Sequence, residues 1–224
     1  MKNYISVILL ILFSIHSFAQ IDIGRDLQDN FLIFNTKRML DSKGENIDLT
    51  LVKGSPYLNK NFENGFVIMH KTNDTLPLNM RYNIFADEME VKLEEKINLS
   101  SVQKRNDISI KLREKDFYYY EGQGYFEVLL KGKYNLLLKY HSVFVEEEPG
   151  KTPMHQSKPA MFKVKNNFFM EKDGILTEIP SSNKGFYELL NHQKEKLKEY
   201  IKEHQFSISN QQDLIKIILF YNSL

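Results

Sequence analysis

The chain has 224 residues, 42% apolar and 26% charged, a balance that excludes wholesale disorder and a polytopic membrane protein. Its 30 Lys+Arg against 29 Asp+Glu give a formal charge of +1, so it has no electrostatic footprint for nucleic acid or anionic lipid. There is no cysteine, which excludes disulfide staples, zinc–cysteine sites and thiol nucleophiles and leaves stability to burial and hydrogen bonding.

Lys2 gives a positive start, residues 5–13 are apolar apart from Ser6, and Ser17-Phe18-Ala19 places small residues before Gln20. This is the layout of a cleavable secretory signal over residues 1–19, with cleavage after Ala19. The apolar run is shorter than the roughly 20 residues of a spanning helix. Its removal takes Lys2 and no acid, leaving 29 basic against 29 acidic residues. No cysteine follows the run, so lipid attachment at the cleavage site is excluded. The rest divides into an antiparallel β region over 20–180 and a helical segment over 181–224, expected to form one domain.

In the less regular stretch 20–64, residues 31–34 and Ile47, Leu49, Leu51 read as strands before the Gly54-Ser55-Pro56 turn. Leu76, Leu78, Met80, Tyr82 and Ile84 then alternate with polar residues, Ala86-Asp87 turns the chain, and Met89, Val91 and Leu93 resume the alternation, predicting a hairpin over 76–93. Ile108, Ile110 and Leu112 repeat the pattern. Residues 117–120, Gly122-Gln123-Gly124 and residues 125–130 read as strand, glycine turn and strand, and Gly132-Lys133 precedes another strand over 134–145. The proline-rich and acidic stretch 146–159 predicts a long loop. Short strands at 160–164 and 168–170 flank an Asn166-Asn167 turn, and Lys172-Asp173-Gly174 leads into 175–179.

Beyond Pro180 the apolar period lengthens to about 3.6 residues. Phe186, Leu189 and Leu190 share one helical face, and Leu197, Tyr200, Ile201 and His204 another. Ser209 with Gln212 fits a capping box opening a last helix whose stripe is Leu214, Ile217, Ile218 and Tyr221. The fold class expected is therefore α+β: mainly antiparallel β in a hairpin meander, as an open half-barrel or a sandwich, with two or three C-terminal helices packed on the sheet.

Catalytic and cofactor motifs are missing. His70, His141, His155, His192 and His204 make no H-E-x-x-H or i, i+4 pair, so packing or surface roles are expected and no metal. No serine sits in G-x-S-x-G. Gly122-Gln123-Gly124 lacks a third glycine and a following helix, which marks a hairpin turn rather than a dinucleotide loop. Asp87, Glu88 and Glu90, and the run Glu146-Glu147-Glu148, lack the alternation of a calcium loop and read as solvated acidic turns. Tyr118, Tyr119, Tyr120 and Tyr125 could offer a stacking surface for a sugar or peptide, with alternation putting only some on one face.

Three stretches carry a resemblance: Gly54-Ser55-Pro56-Tyr57-Leu58-Asn59, Leu78-Asn79-Met80-Arg81-Tyr82-Asn83-Ile84-Phe85 through Met89-Glu90-Val91, and the tail from Lys194 to Asn222. Together they are similar to a group of uncharacterised exported proteins of Gram-negative bacteria with a helical C-terminal tail. The resemblance implies a β-rich envelope protein of the periplasm or the outer-membrane periphery, and no catalytic residue. The expected function is a non-enzymatic binding or interaction module without cofactor, whose partner is an envelope protein or an apolar ligand and not nucleic acid. A second reading is an open half-barrel with a helical lid that carries a lipid, as periplasmic lipoprotein carriers do. A hydrolase rests on the compartment alone.

Overall fold

The computed structural model describes residues 33–35, 39–93, 99–150 and 156–224. The export signal expected at residues 1–19 lies outside them. Eleven strands are found among the described residues: β1 (Ile33–Asn35), β2 (Glu63–Met69), β3 (Thr75–Asn83), β4 (Glu88–Val91), β5 (Ser100–Val102), β6 (Ile108–Leu112), β7 (Lys115–Tyr120), β8 (Gly124–Leu130), β9 (Asn135–Val145), β10 (Met161–Lys172) and β11 (Ile175–Glu178). They form one sheet in the order β1-β5-β4-β3-β2-β6-β7-β8-β9-β10-β11. Every strand pairing is antiparallel, and the edge strands β1 and β11 do not meet, so the sheet is not closed.

The alternation read from sequence sets the two faces. Register pairs Val67 with Ile110 and Leu76, Ile110 with Phe117, and Phe117 with Glu127, which puts these alternate positions on one face. That face curls around a core of Val67, Met80, Tyr82, Met89, Val91, Ile110, Phe117 and Tyr125, each at most 1% exposed. Five residues, 103–107, link β5 to β6 past three intervening strands. On a flat sheet that path is about 19 Å, close to the limit of a taut link; the curl that brings Val102 and Ile108 into one core shortens it.

Three helices follow: α1 (Asn183–Leu189), α2 (Lys194–Glu203) and α3 (Gln211–Ser223). Their apolar stripes meet the same sheet face where β9 begins. Leu136 and Met170 join Phe186, Leu190, Leu197, Leu214, Ile217 and Ile218 in a second core. Asn222 fastens the last helix to the β8–β9 turn, accepting from the Tyr134 N–H (2.8 Å) and donating to its carbonyl (2.9 Å).

Four expectations are corrected. Ile47, Leu49 and Leu51 form no strand, because Asp48 accepts from the Thr50 N–H (2.9 Å) and hydroxyl (2.7 Å) and turns the chain. Asn166-Asn167 is no turn: both lie within the continuous β10, opposite Tyr140 and Lys139, where the long ladder with β9 outweighs local turn preference. The last helix is capped by Asn210, whose side chain accepts from the Asp213 N–H, not by Ser209. Asp87, Glu88 and Glu90 are not a solvated acidic turn, since Glu88 and Glu90 are 2% and 3% exposed and hydrogen-bonded.

The gap left by the open strand order is crossed by a strap, residues 53–58. At one end the Lys53 N–H donates to Ala160 O and the Phe162 N–H to Lys53 O, both at 2.9 Å. At the other, the Leu58 N–H donates to Tyr82 O (3.0 Å) and the Ile84 N–H to Pro56 O (2.7 Å). The loop thereby ties the β9–β10 ribbon to the β3–β4 hairpin. Gly54 is required at φ +81°, where a Cβ would stand 2.6 Å from Phe162 O.

Candidate functional site

The four tyrosines do not form one platform. Tyr118 pairs with Phe126 and Tyr119 with Tyr125 across β7 and β8, so Tyr119 and Tyr125 face the interior and Tyr118 and Tyr120 the opposite side. Tyr125 is 1% exposed, and among the described residues its hydroxyl has no hydrogen-bond partner. Tyr118 accepts from Lys131 Nζ (2.8 Å) and tilts against His70. Tyr120 lies edge-on to Phe126, which meets Phe169 in the same way, and burial raises its phenol to about 12. The half-buried Tyr118 and Tyr120 are what remains of a surface.

The charged groups that enter the interior are committed to one another. Asp87, at φ +53° in the β3–β4 turn, accepts from the Tyr82 hydroxyl (2.6 Å), the Tyr125 N–H (3.3 Å) and the Lys139 ammonium (3.1 Å). Lys139 also donates to Tyr125 O, and its burial lowers its pKa despite Asp87. Glu127, 5% exposed, accepts two bonds of 2.7 Å from Lys115 and one from the Tyr140 hydroxyl. Burial and Glu127 hold that phenol well above its ordinary range, so it is a donor and not a nucleophile. His141 is exposed on the β9–β10 ribbon, its imidazole held low by partial burial and by Lys139. Glu146 accepts from Ser42 and Glu148 pairs with Lys158 at 2.8 Å, so two of the three acids of that run have partners on the surface.

On the outer side of the strap lies a cleft of about 200 Å³ lined by Leu49, Val52, Gly54, Ser55, Pro56, Tyr57, Lys60, Arg81 and Phe162. Its construction begins with the pleat of the β3–β4 hairpin, which sets Arg81 directly opposite Glu90. Arg81 donates from Nε to Glu90 Oε2 (2.7 Å), pairs with the same oxygen through Nη2 (2.7 Å), and donates from Nη1 to Lys60 O at 3.0 Å. The second Glu90 oxygen accepts from Asn83 Nδ2 (2.7 Å). The guanidinium is held between two rings, its Cζ 3.6 Å from the centroid of Tyr57 and 4.4 Å from that of Phe62, a geometry suited to cation–π attraction. Burial raises the Tyr57 phenol, with Glu90 adding to it and Arg81 opposing.

The arrangement fits binding better than catalysis. Both carboxylate oxygens of Glu90 are engaged, and no side chain lining the cleft is an acid–base pair or an activated nucleophile. Sequence reading placed the functional surface on the tyrosines and missed this cleft. Arg81 and Glu90 stand at equal distances from the four-residue turn 84–87, whereas the two-residue turn read from sequence at Ala86-Asp87 sets Arg81 opposite Lys92, so their pairing was hidden in the length of the turn. No family model, curated protein or solved structure matches the chain.

Proposed function

We propose that the chain is an exported protein of the Gram-negative cell envelope that acts without catalysis, as a binding or interaction module with the strap-side cleft as its ligand site. The observation that carries this reading is the packed interior. A lipid carrier of the half-barrel kind needs a concave apolar cavity of several hundred Å³. Here Tyr82, Phe117, Tyr125 and Leu138, all at most 2% exposed, fill the concave face, and the cleft lies outside it. The charged groups of the interior are spent on pairing, which leaves surface recognition as the role open to the molecule. Export is supported by the Lys2, residues 5–13 and Ser17-Phe18-Ala19 pattern, and no helix among the described residues is long and apolar enough to cross a membrane.

Expression in a Gram-negative host, followed by fractionation and native mass spectrometry, tests both parts. The expected species begins at Gln20, is released with the periplasm or the outer-membrane fraction, and has the mass of the bare chain. Retention at full length in the inner membrane would refute export, and a lipid adduct surviving purification would transfer the function to the carrier reading.

A further inference from the structure

The strap-side cleft has a chemistry that selects among ligands, and the inference drawn from it rests on the binding-module reading. Two of its lining residues, Lys60 and Arg81, are cations, and none is an acid. Glu90 sits behind Arg81 with both oxygens occupied and balances one of the two charges. A single positive charge, that of the exposed Lys60, is left uncompensated among the lining residues.

Arg81 is fixed rather than mobile, stacked by Tyr57 and Phe62 and tied to Glu90 and Lys60 O. Those ties engage Nε and Nη1, set Nη2 against Glu90, and the Tyr57 hydroxyl is a further hydrogen-bond partner of the guanidinium, so one of its five N–H donors is left for a ligand. That fixed donor and the Lys60 ammonium together match the two oxygens of a carboxylate. Beside it, the Gly54 and Ser55 N–H groups meet no acceptor among the described residues. The remaining wall is apolar, made by Leu49, Val52, Pro56 and Phe162. At about 200 Å³ the cleft is smaller than the ~300–1,000 Å³ of drug-sized sites.

We propose that the cleft binds a carboxylate carried on a short apolar body, the carboxylate meeting the Lys60 ammonium and the remaining Arg81 N–H and the body lying against Val52, Pro56 and Phe162. One uncompensated charge favours a monoanion over the phosphate dianion, and the apolar wall disfavours a bare inorganic ion. A small free carboxylic acid and the C-terminal residue of a polypeptide share this chemistry.

The test is an amide ¹H–¹⁵N titration of the protein with hexanoate, N-acetyl-leucine, hexanol, hexylammonium and inorganic phosphate in separate arms. Hexanoate is expected to shift the Gly54 and Ser55 signals and to saturate on the order of 1 mM, as suits about eight non-hydrogen atoms. The K60M variant, at an exposed position, should bind about tenfold more weakly with an unchanged melt, whereas K71M, exposed and outside the cleft, should bind as the parent does. Tighter binding of N-acetyl-leucine than of hexanoate assigns the ligand to a chain terminus, and the reverse order to a free acid; both sustain the proposal. Equal binding of hexanol or hexylammonium, tighter binding of phosphate, or undiminished binding by K60M overturns the carboxylate and leaves the cleft as a binding site. If no arm moves Gly54 or Ser55, the proposal fails and the binding-module reading loses its site with it.

Discussion

Asp87 joins three strands through one side chain. Its carboxylate is the shared acceptor for a phenol, a backbone amide and an ammonium drawn from three strands, β3, β8 and β9. Gly124 is a neighbour for the same reason: a Cβ there would overlap the Asp87 carboxylate and the Lys139 ammonium. Lys139 is 6% exposed, and a buried cation without its counter-charge is far more costly than a buried pair. Asp87→Asn should therefore destabilise the protein by about 3–5 kcal/mol in urea unfolding. The double variant Asp87→Asn/Lys139→Met should recover a large part of that loss, because it removes the stranded charge. Equal stability of the single variant and the parent would show that the ammonium finds another partner. Sequence reading saw Asp87 as a turn residue and could see no more, since two of its three partners lie 38 and 52 positions away and no periodic pattern encodes them.

At the scale of elements, what was legible depended on length and on whether a pattern had a local cause. The hairpin over 76–93, the β7–β8 turn and the three helices follow from alternation or a 3.6-residue period carried over several residues and are found in place, although of the stripe Leu197, Tyr200, Ile201 and His204 only Leu197 and Ile201 enter the core. β5 was missed because Ser100-Ser101-Val102 has three buried residues and no alternation to read. The Asn166-Asn167 error has the opposite origin, a local turn preference overruled by eleven paired positions with β9. The cap of α3 was misplaced by one residue, and this is testable. Asn210→Ala should cost about 1 kcal/mol and Ser209→Ala close to nothing, because it is Asn210 that satisfies an orphan N–H of the first turn. Reversed costs in thermal melts would restore the Ser209 cap. The strap offers a second test of an element. Gly54→Ala forces an L-residue to φ +81° against the Phe162 carbonyl and should cost about 1–3 kcal/mol. Parental stability in that variant would mean that the strap bears no part of the fold. The cleft was illegible because it needs the strap and the β3–β4 hairpin together, two segments whose meeting is a consequence of the curl.

The main core of the molecule encloses the phenols of Tyr82, Tyr125 and Tyr140, and this fixes its response to alkali. Tyr82 and Tyr125 are 0% and 1% exposed. Burial, reinforced by the charge of Asp87, lifts both phenols well above their ordinary value of 10.0, and burial with Glu127 does the same for Tyr140. A group whose folded pKa is raised contributes stability that is complete below its unfolded pKa and is lost as pH rises through the folded one. Above pH ~10 the unfolded chain therefore sheds protons that the native chain keeps, and each such phenol steepens the fall by about 1.4 kcal/mol per pH unit. Lys139 works the other way. Its lowered pKa favours the native state as pH climbs from its folded value to the unfolded one near 10.5, but it is one group against several phenols and saturates early. With Tyr82 and Tyr125 alone the net loss is roughly 2.7 kcal/mol per pH unit, set against a typical domain stability of about 5–15 kcal/mol. Urea unfolding between pH 8 and 12 should accordingly give a stability that holds up to pH ~10 and then collapses. Tyrosinate absorbance should appear in two stages, the exposed phenols first and the buried ones only with unfolding. A stability curve flat through pH 12, or a single normal titration of all the tyrosines in the folded protein, would mean that the core opens without unfolding, and would reopen the half-barrel interior as a place where an apolar ligand can enter.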